Sequence, residues 1–197
     1  MNPWWWIVGG GAVLGAAAWA VAARSVSPIM SKGQSLWVIG DSLGVGLLPR
    51  LVKLGEEAGI TVGGNPKGGS MTFQWAKGSM LGPVQEAQVD AILVVLGTND
   101  AAASSAYIYD EFPKYVDSLI AKLKPTRVMW LVPGTSPGLE KTRTDAVANI
   151  IYERADVNGF GTLDTNQSGV KYVPKDVHPT PAGYDTLAKW IMSRLTT

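Results

Sequence analysis

Leu36-Trp37-Val38-Ile39-Gly40-Asp41-Ser42-Leu43 is an apolar run that closes on a glycine, an acid and a serine. A short apolar run containing β-branched Val38 and Ile39 and stopped by Gly reads as a buried strand, and the polar triplet as the turn leaving its carboxyl end. Similar runs recur at 91–96, Ala-Ile-Leu-Val-Val-Leu, and at 127–132, Arg-Val-Met-Trp-Leu-Val, with shorter candidates at 60–62 and 160–163. Helical patterns fill the intervals. Phe112, Val116, Leu119, Ile120 and Leu123 share one face, and Val147, Ile150, Ile151 and Arg154 outline a second helix. Thr180-Pro181 starts a third, with Thr as N-cap, Pro at the first helical position and Tyr184, Leu187, Ala188, Ile191 and Leu195 inward. Strand alternating with helix implies an α/β fold, a three-layer α/β/α sandwich doubly wound on a parallel sheet of about five strands. In such sheets sites form where loops leave the strand carboxyl ends. Ser42, Gly68-Gly69-Ser70 and Gly97-Thr98-Asn99-Asp100 all fall on that edge.

The 197 residues suffice for one domain with a full core and a short appendage. Charge is nearly balanced, 17 Lys+Arg against 16 Asp+Glu, and no basic block occurs, so a nucleic-acid partner is not expected. The sequence has no cysteine, which excludes disulfides, thiolate catalysis and Cys-based zinc sites. Its single histidine, His178, excludes a multi-His metal centre. Neither metal nor cofactor is expected.

From Trp4 to Ala23 the chain runs WWWIVGGGAVLGAAAWAVAA, 20 residues without a charge. That length matches the hydrocarbon core of a bilayer, so 1–24 reads as an N-terminal transmembrane anchor, with Trp4, Trp5 and Trp6 at one interface and Arg24 closing the other end. Gly11 and Gly15 form a GxxxG pair that would allow a homodimer through this helix. The rival reading is a cleaved signal peptide ending near Ala20-Val21-Ala22. Against it stand the length of the apolar stretch and the absence of Lys or Arg before it. Arg24 and Lys32, which follow the helix, favour a cytoplasmic domain by the positive-inside rule but leave the side of the membrane open. Residues 25–33 read as a tether, and 34–197 as the globular domain.

Each motif has a plain structural reading. Ser42 could be a helix N-cap, Asn99 a turn residue, His178 a surface histidine, and Trp75 a core side chain rather than a pocket wall. Their order is more telling. Gly40-Asp41-Ser42-Leu43-Gly44-Val45-Gly46, Gly68-Gly69-Ser70, Gly97-Thr98-Asn99-Asp100 and His178-Pro179-Thr180-Pro181-Ala182-Gly183-Tyr184 together resemble the nucleophile, oxyanion, G-x-N-D and histidine blocks of the SGNH, or GDSL-type, hydrolases. The resemblance spans roughly residues 35 to 195.

The resemblance implies a flavodoxin-like three-layer hydrolase that passes through an acyl-serine. Ser42 would attack an ester carbonyl while His178 takes its proton, and the backbone N–H groups of Ser42 and Gly69 with the Asn99 amide would form the oxyanion hole. Gly68 is the alternative donor to Gly69. One departure stands out: the family's acid precedes the histidine by three residues, where this chain has Lys175. Asp176, two before His178, could reach the imidazole from an extended segment. A Ser-His dyad oriented by a backbone carbonyl or by Asp164 is the alternative. Asp41 and Asp100 read as structural, holding their turns. The expected activity is removal of a short acyl group, acetyl first, from a carbohydrate. The alternatives are a lipid esterase, thioesterase or lysophospholipase, or an inactive membrane-tethered binding module.

Overall fold

The computed structural model describes residues 30–123 and 126–196. Five strands, β1 (Ser35–Gly40), β2 (Thr61–Gly64), β3 (Ala91–Val95), β4 (Arg127–Val132) and β5 (Gly161–Asp164), form one sheet in the order β2-β1-β3-β4-β5. Every neighbouring pair is parallel. All five fall on the expected runs. The helices are α1 (Ser42–Ala58), α2 (Thr72–Ala76), α3 (Gly82–Ala87), α4 (Thr98–Ala101), α5 (Phe112–Leu123), α6 (Lys141–Asn158) and α7 (Pro181–Leu195). A π-helical turn, Tyr107–Glu111, leads into α5, and a 3₁₀ turn, Thr165–Ser168, follows β5.

Alternation along the strands builds two cores, because successive side chains point to opposite faces. Leu36, Val38, Leu93, Val95, Met129 and Leu131 meet Leu47 and Leu51 of α1 and Leu187 and Ile191 of α7. On the other face Ile92, Val94, Val128 and Trp130 meet Trp75, Phe112, Val116, Val147 and Ile151. The sheet is thus covered on both sides, as a parallel sheet requires. Trp75 is core, not pocket wall: it is fully buried, and its indole N–H donates to Ser70 Oγ at 2.9 Å.

The strand order reverses between β1 and β3, and the loops leaving these strands part there to open a crevice. Ser42 follows β1 and Asn99 follows β3, so both stand at that switch point. The histidine comes from the far end of the chain, just ahead of α7, and is brought in by the pairing of α7 with α1. Arg50 fastens these two helices: its Nε donates to Asp185 at 2.6 Å and its Nη1 to the Gly46 carbonyl at 2.9 Å.

The expected span Trp4–Ala23, the Gly11/Gly15 pair and the Ala20-Val21-Ala22 alternative lie outside the described residues. Among the described residues no helix is long and apolar enough to cross a membrane. Within the expected tether, Met30 is buried and pairs with Thr196 beyond α7, so packing reaches back at least to Met30.

Candidate active site

The turn after β1 is set by Asp41. Its Oδ1 accepts from the Leu43 N–H at 2.8 Å, which makes Asp41, and not Ser42, the N-cap of α1. Ser42 is therefore the first helical residue, its N–H among those with no intrahelical acceptor, at the positive end of a 17-residue helix. Its hydroxyl is free of capping duty and lies 2.9 Å from Nε2 of His178.

His178 sits on a hairpin that precedes α7. Val173 N–H donates to the His178 carbonyl at 2.9 Å and Thr180 N–H to the Lys171 carbonyl at 2.9 Å. At the tip, Val173-Pro174-Lys175-Asp176 forms a turn closed by Asp176 N–H to the Val173 carbonyl at 3.1 Å. Pro174 and Lys175 are its central residues, and Lys175 takes φ +62°, a left-handed conformation as at the third position of a type II turn. This corrects the expectation of an extended segment. The turn folds the Asp176 carboxylate back over the chain that follows. Asp176 Oδ1 lies 2.8 Å from His178 Nδ1, and accepts from Val177 N–H at 2.6 Å and His178 N–H at 3.2 Å. With this turn, the acid two residues before the histidine meets the ring. Asp164, the alternative orienting acid, is occupied elsewhere, accepting from Asn166 N–H at 2.9 Å.

The hydrogen bond from the His178 side chain, followed by that from its backbone N–H, holds the Asp176 carboxyl below the ordinary value of 3.8. An ionised carboxylate only accepts, so Nδ1 carries the ring proton and Nε2 is left to accept from Ser42. Ser42, His178 and Asp176 thus stand in one hydrogen-bonded line.

The loop after β2 brings the glycines in. Lys67 N–H and Ser70 Oγ both donate to the Gly40 carbonyl, at 2.8 and 3.0 Å, and Ser70 N–H closes a turn onto the Lys67 carbonyl. Gly68 and Gly69 are the exposed centre of that turn, Gly69 with φ +73°. Asn99 Nδ2 donates to the Ser70 carbonyl at 2.9 Å, which leaves its second amide hydrogen for a ligand. Asp100, fully buried, accepts from Thr72 N–H and Thr72 Oγ1, and from the Tyr107 hydroxyl at 2.6 Å. Asp41 and Asp100 are thus structural, as read from the sequence. Asp100 does more than hold its own turn: it ties the β3 loop to the β2 loop.

Thr72, Tyr107 and Gly138 support the site without having been singled out in the sequence, and Ser70, named there only as part of the Gly68-Gly69-Ser70 block, takes a supporting role. Gly138 gave no signal, since its contact lies across the fold. Its N–H donates to the Asp176 carbonyl at 3.1 Å, and a Cβ there would stand 2.6 Å from Asp176 C and 2.7 Å from Val177 N. Gly138→Ala is expected to push the Asp176 turn aside and lower kcat about tenfold to a hundredfold while the chain stays folded. Unchanged turnover in a folded variant would show that the β4 loop does not position Asp176.

Asp41 predicts a pH dependence of stability. Burial pushes its carboxyl up to about 7, the Leu43 N–H opposing and the nearby Asp100 charge adding to the rise; its Oδ2 has no partner among the described residues. A group raised above its unfolded value of 3.8 contributes stability that is full below that value and is lost as pH rises through about 7. The protein should therefore be less stable at pH 8 than at pH 5, and Asp100, raised in the same direction by burial, adds to the slope. Asp41→Asn keeps an oxygen for Leu43 N–H and is expected to flatten part of that slope in urea midpoints. An unaltered slope would remove Asp41 as its source.

No family model matches the chain, and no curated protein matches it either. Solved structures do. A catalytic variant of an acetylxylan esterase from Geobacillus stearothermophilus superposes with a TM-score of 0.70 at 18% identity, over 86% of this chain and 97% of that one. An alpha/beta hydrolase enzyme from the metagenome of Lake Arreo, Spain, gives 0.67 at 18% identity, over 87% of this chain and 100% of that one. At such identity the likeness establishes the fold. Catalytic variants of the Geobacillus esterase replace a serine, an aspartate and a histidine, the aspartate three positions before the histidine. In this chain Asp176 stands two residues before His178, after a turn in which Lys175 is left-handed.

Proposed function

We propose that the chain is a serine esterase of the SGNH type that removes a short acyl group, acetyl first, from a carbohydrate, and that residues 4–23 hold it to a membrane. The observation that carries this reading is the line Ser42 Oγ, His178 Nε2, His178 Nδ1, Asp176 Oδ1, with separations of 2.9 and 2.8 Å, at the switch point of a fold shared with an acetylxylan esterase.

Ser42 Oγ attacks the acyl carbon as its proton passes to His178 Nε2, and the positive ring is steadied by Asp176. Negative charge on the former carbonyl oxygen is met by the N–H groups of Ser42 and Gly69 and the free hydrogen of Asn99 Nδ2. The C–O bond to the leaving alcohol breaks, and His178 returns the proton to that oxygen. Water, deprotonated by His178, then attacks the acyl-serine; the C–Oγ bond breaks, Oγ recovers the proton, and the acid departs. One ester and one water become one acid and one alcohol.

A small cavity lies among the chain neighbours of Ser42, Asn99 and His178. The cavity that Leu43, Thr98, Pro133, Ser136, Tyr172 and Val177 help to line measures about 10 Å³, room for one water-sized group. This space would not take a fatty chain, and the short-acyl reading draws on it together with the fold shared with an acetylxylan esterase. Rates on nitrophenyl esters from acetate to palmitate test the point: turnover is expected to be greatest at acetate and to fall steeply with length. A maximum at long chains would overturn the short-acyl reading.

A further inference from the structure

The loops that carry the site hold little free negative charge. Asp41 and Asp100 are buried, and Asp176 is held by the imidazole and by two backbone N–H groups. Over 65–71, the loop of Gly68-Gly69, the one charged residue is Lys67. Over 165–180, the segment of His178, the charges besides Asp176 are Lys171 and Lys175. All three lysines are exposed. On the β4 loop the exposed Glu140 accepts from Thr142 Oγ1. The sequence as a whole is balanced, 17 Lys+Arg against 16 Asp+Glu, so the excess of positive charge beside Ser42 is local. The amino-terminal ends of α1, 17 residues long, and α7, 15 residues long, lie at the same edge and add to the positive potential.

Two of these lysines are tied by their backbones to the reacting groups. Lys67 N–H donates to the Gly40 carbonyl at 2.8 Å, two residues before Ser42, and Lys67 itself stands two residues before Gly69. Lys175 directly precedes Asp176, whose Oδ1 lies 2.8 Å from His178 Nδ1. A lysine side chain spans about 6 Å, enough to carry either ammonium over the crevice. Among the described residues neither ammonium has a hydrogen bond, an ion pair or a ring contact, so both are free to meet a ligand. Lys175 adds a second observation. Its φ of +62° is strained for a residue with a long side chain, and glycine or asparagine would take it more readily. Strain of this kind collects at ligand clamps and active sites, and the ammonium is what a lysine brings to the position. We propose that Lys67 and Lys175 form an anion subsite beside Ser42, and that the ester is carried by a glycan with a negative group, a carboxylate or a phosphate, close to the acylated hydroxyl. The substrate rests on the esterase reading above; the subsite rests on the placement of the two lysines.

Acetate release by the full-length protein is measured on two pairs of acetylated sugars. One pair is an oligosaccharide bearing a uronate and the same oligosaccharide with that carboxylate converted to an amide; the other is a sugar phosphate and the same sugar without its phosphate. An ammonium about 7 Å from an anion in water is worth about threefold, so two give about fivefold to tenfold. At about 20 mM salt kcat/KM is therefore expected to be higher by that factor for a charged sugar than for its neutral counterpart, and the advantage to shrink below about twofold near 1 M salt. The pair that shows it identifies the anion. In the Lys67→Gln/Lys175→Asn protein the low-salt advantage is expected to fall below about twofold. Asparagine tolerates the left-handed conformation at 175, so the Asp176 turn is kept. Equal rates within both pairs for the parent protein would overturn the subsite, and so would an advantage that survives in the double variant. Binding of the deacetylated charged sugars, followed by calorimetry, separates the subsite from the chemistry. Turnover of no sugar, with binding that both salt and the double variant weaken, would refute the esterase reading and leave the subsite standing. Neither turnover nor binding would overturn both.

Discussion

Replacing Ser42 with alanine is expected to lower the turnover of acetyl esters by about 10⁴-fold or more, to the level that the oxyanion donors and binding alone supply. The expected effect is chemical, since Ser42 Oγ is the hydroxyl hydrogen-bonded to the one histidine of the sequence. The fold should not notice the change. Ser42 is half-buried, Asp41 caps α1, and the hydroxyl's partner is His178, so stability is expected to stay within about 0.5 kcal/mol of the parent. Turnover measured together with the thermal midpoint separates the two effects. A folded Ser42→Ala protein with undiminished turnover would place the chemistry elsewhere.

Asp176→Asn carries the next largest expected effect, a fall in kcat of about 10²- to 10⁴-fold with little change in KM. The carboxylate accepts only, and so fixes the proton on Nδ1. An asparagine can turn its amide N–H toward the ring, stabilise the other tautomer and leave Nε2 carrying a proton, unable to take one from Ser42. The range extends below the value for a buried acid because both side chains here are partly open to solvent, 40% for His178 and 45% for Asp176. Water can then orient some of the rings. The lowered pKa of Asp176 means that its contribution is present above 3.8 and is lost only as the pH falls through a still lower value. Neutral-pH kinetics therefore compare a full charge with none. An Asp176→Asn enzyme with unchanged kcat would mean that His178 works without this acid.

The three central strands β1, β3 and β4 were legible because each is a short, largely buried apolar run followed by Gly or Pro within two residues, whereas the edge strands β2 and β5, mostly half-buried, gave only short candidates. The long helices showed their apolar stripes; α2, α3 and α4, at 5, 6 and 4 residues, are too short to display a period. The site's residue types and order could be read, but its geometry could not. Whether Ser42 caps α1 depends on which of two adjacent polar side chains turns back, and Asp41, with its carboxylate, takes that role. The acid behind His178 was left open between Asp176, Asp164 and no acid at all. Spacing alone does not reveal that Pro174-Lys175 makes a tight turn, because the left-handed position is held by a lysine where glycine would have signalled it. Gly138 was invisible for a different reason: its partner is 38 residues away in sequence, and only the folded chain brings the β4 loop onto the Asp176 turn.

The most direct test of a nucleophilic Ser42 is covalent. The intact protein is treated with a fluorophosphonate at neutral pH and the adduct is mapped by mass spectrometry of its peptides. The expected result is one phosphonyl group on Ser42, absent from Ser42→Ala and greatly slowed in His178→Ala. No adduct on the parent protein, under conditions in which a control serine hydrolase is fully labelled, would contradict the assignment of Ser42 as a nucleophile.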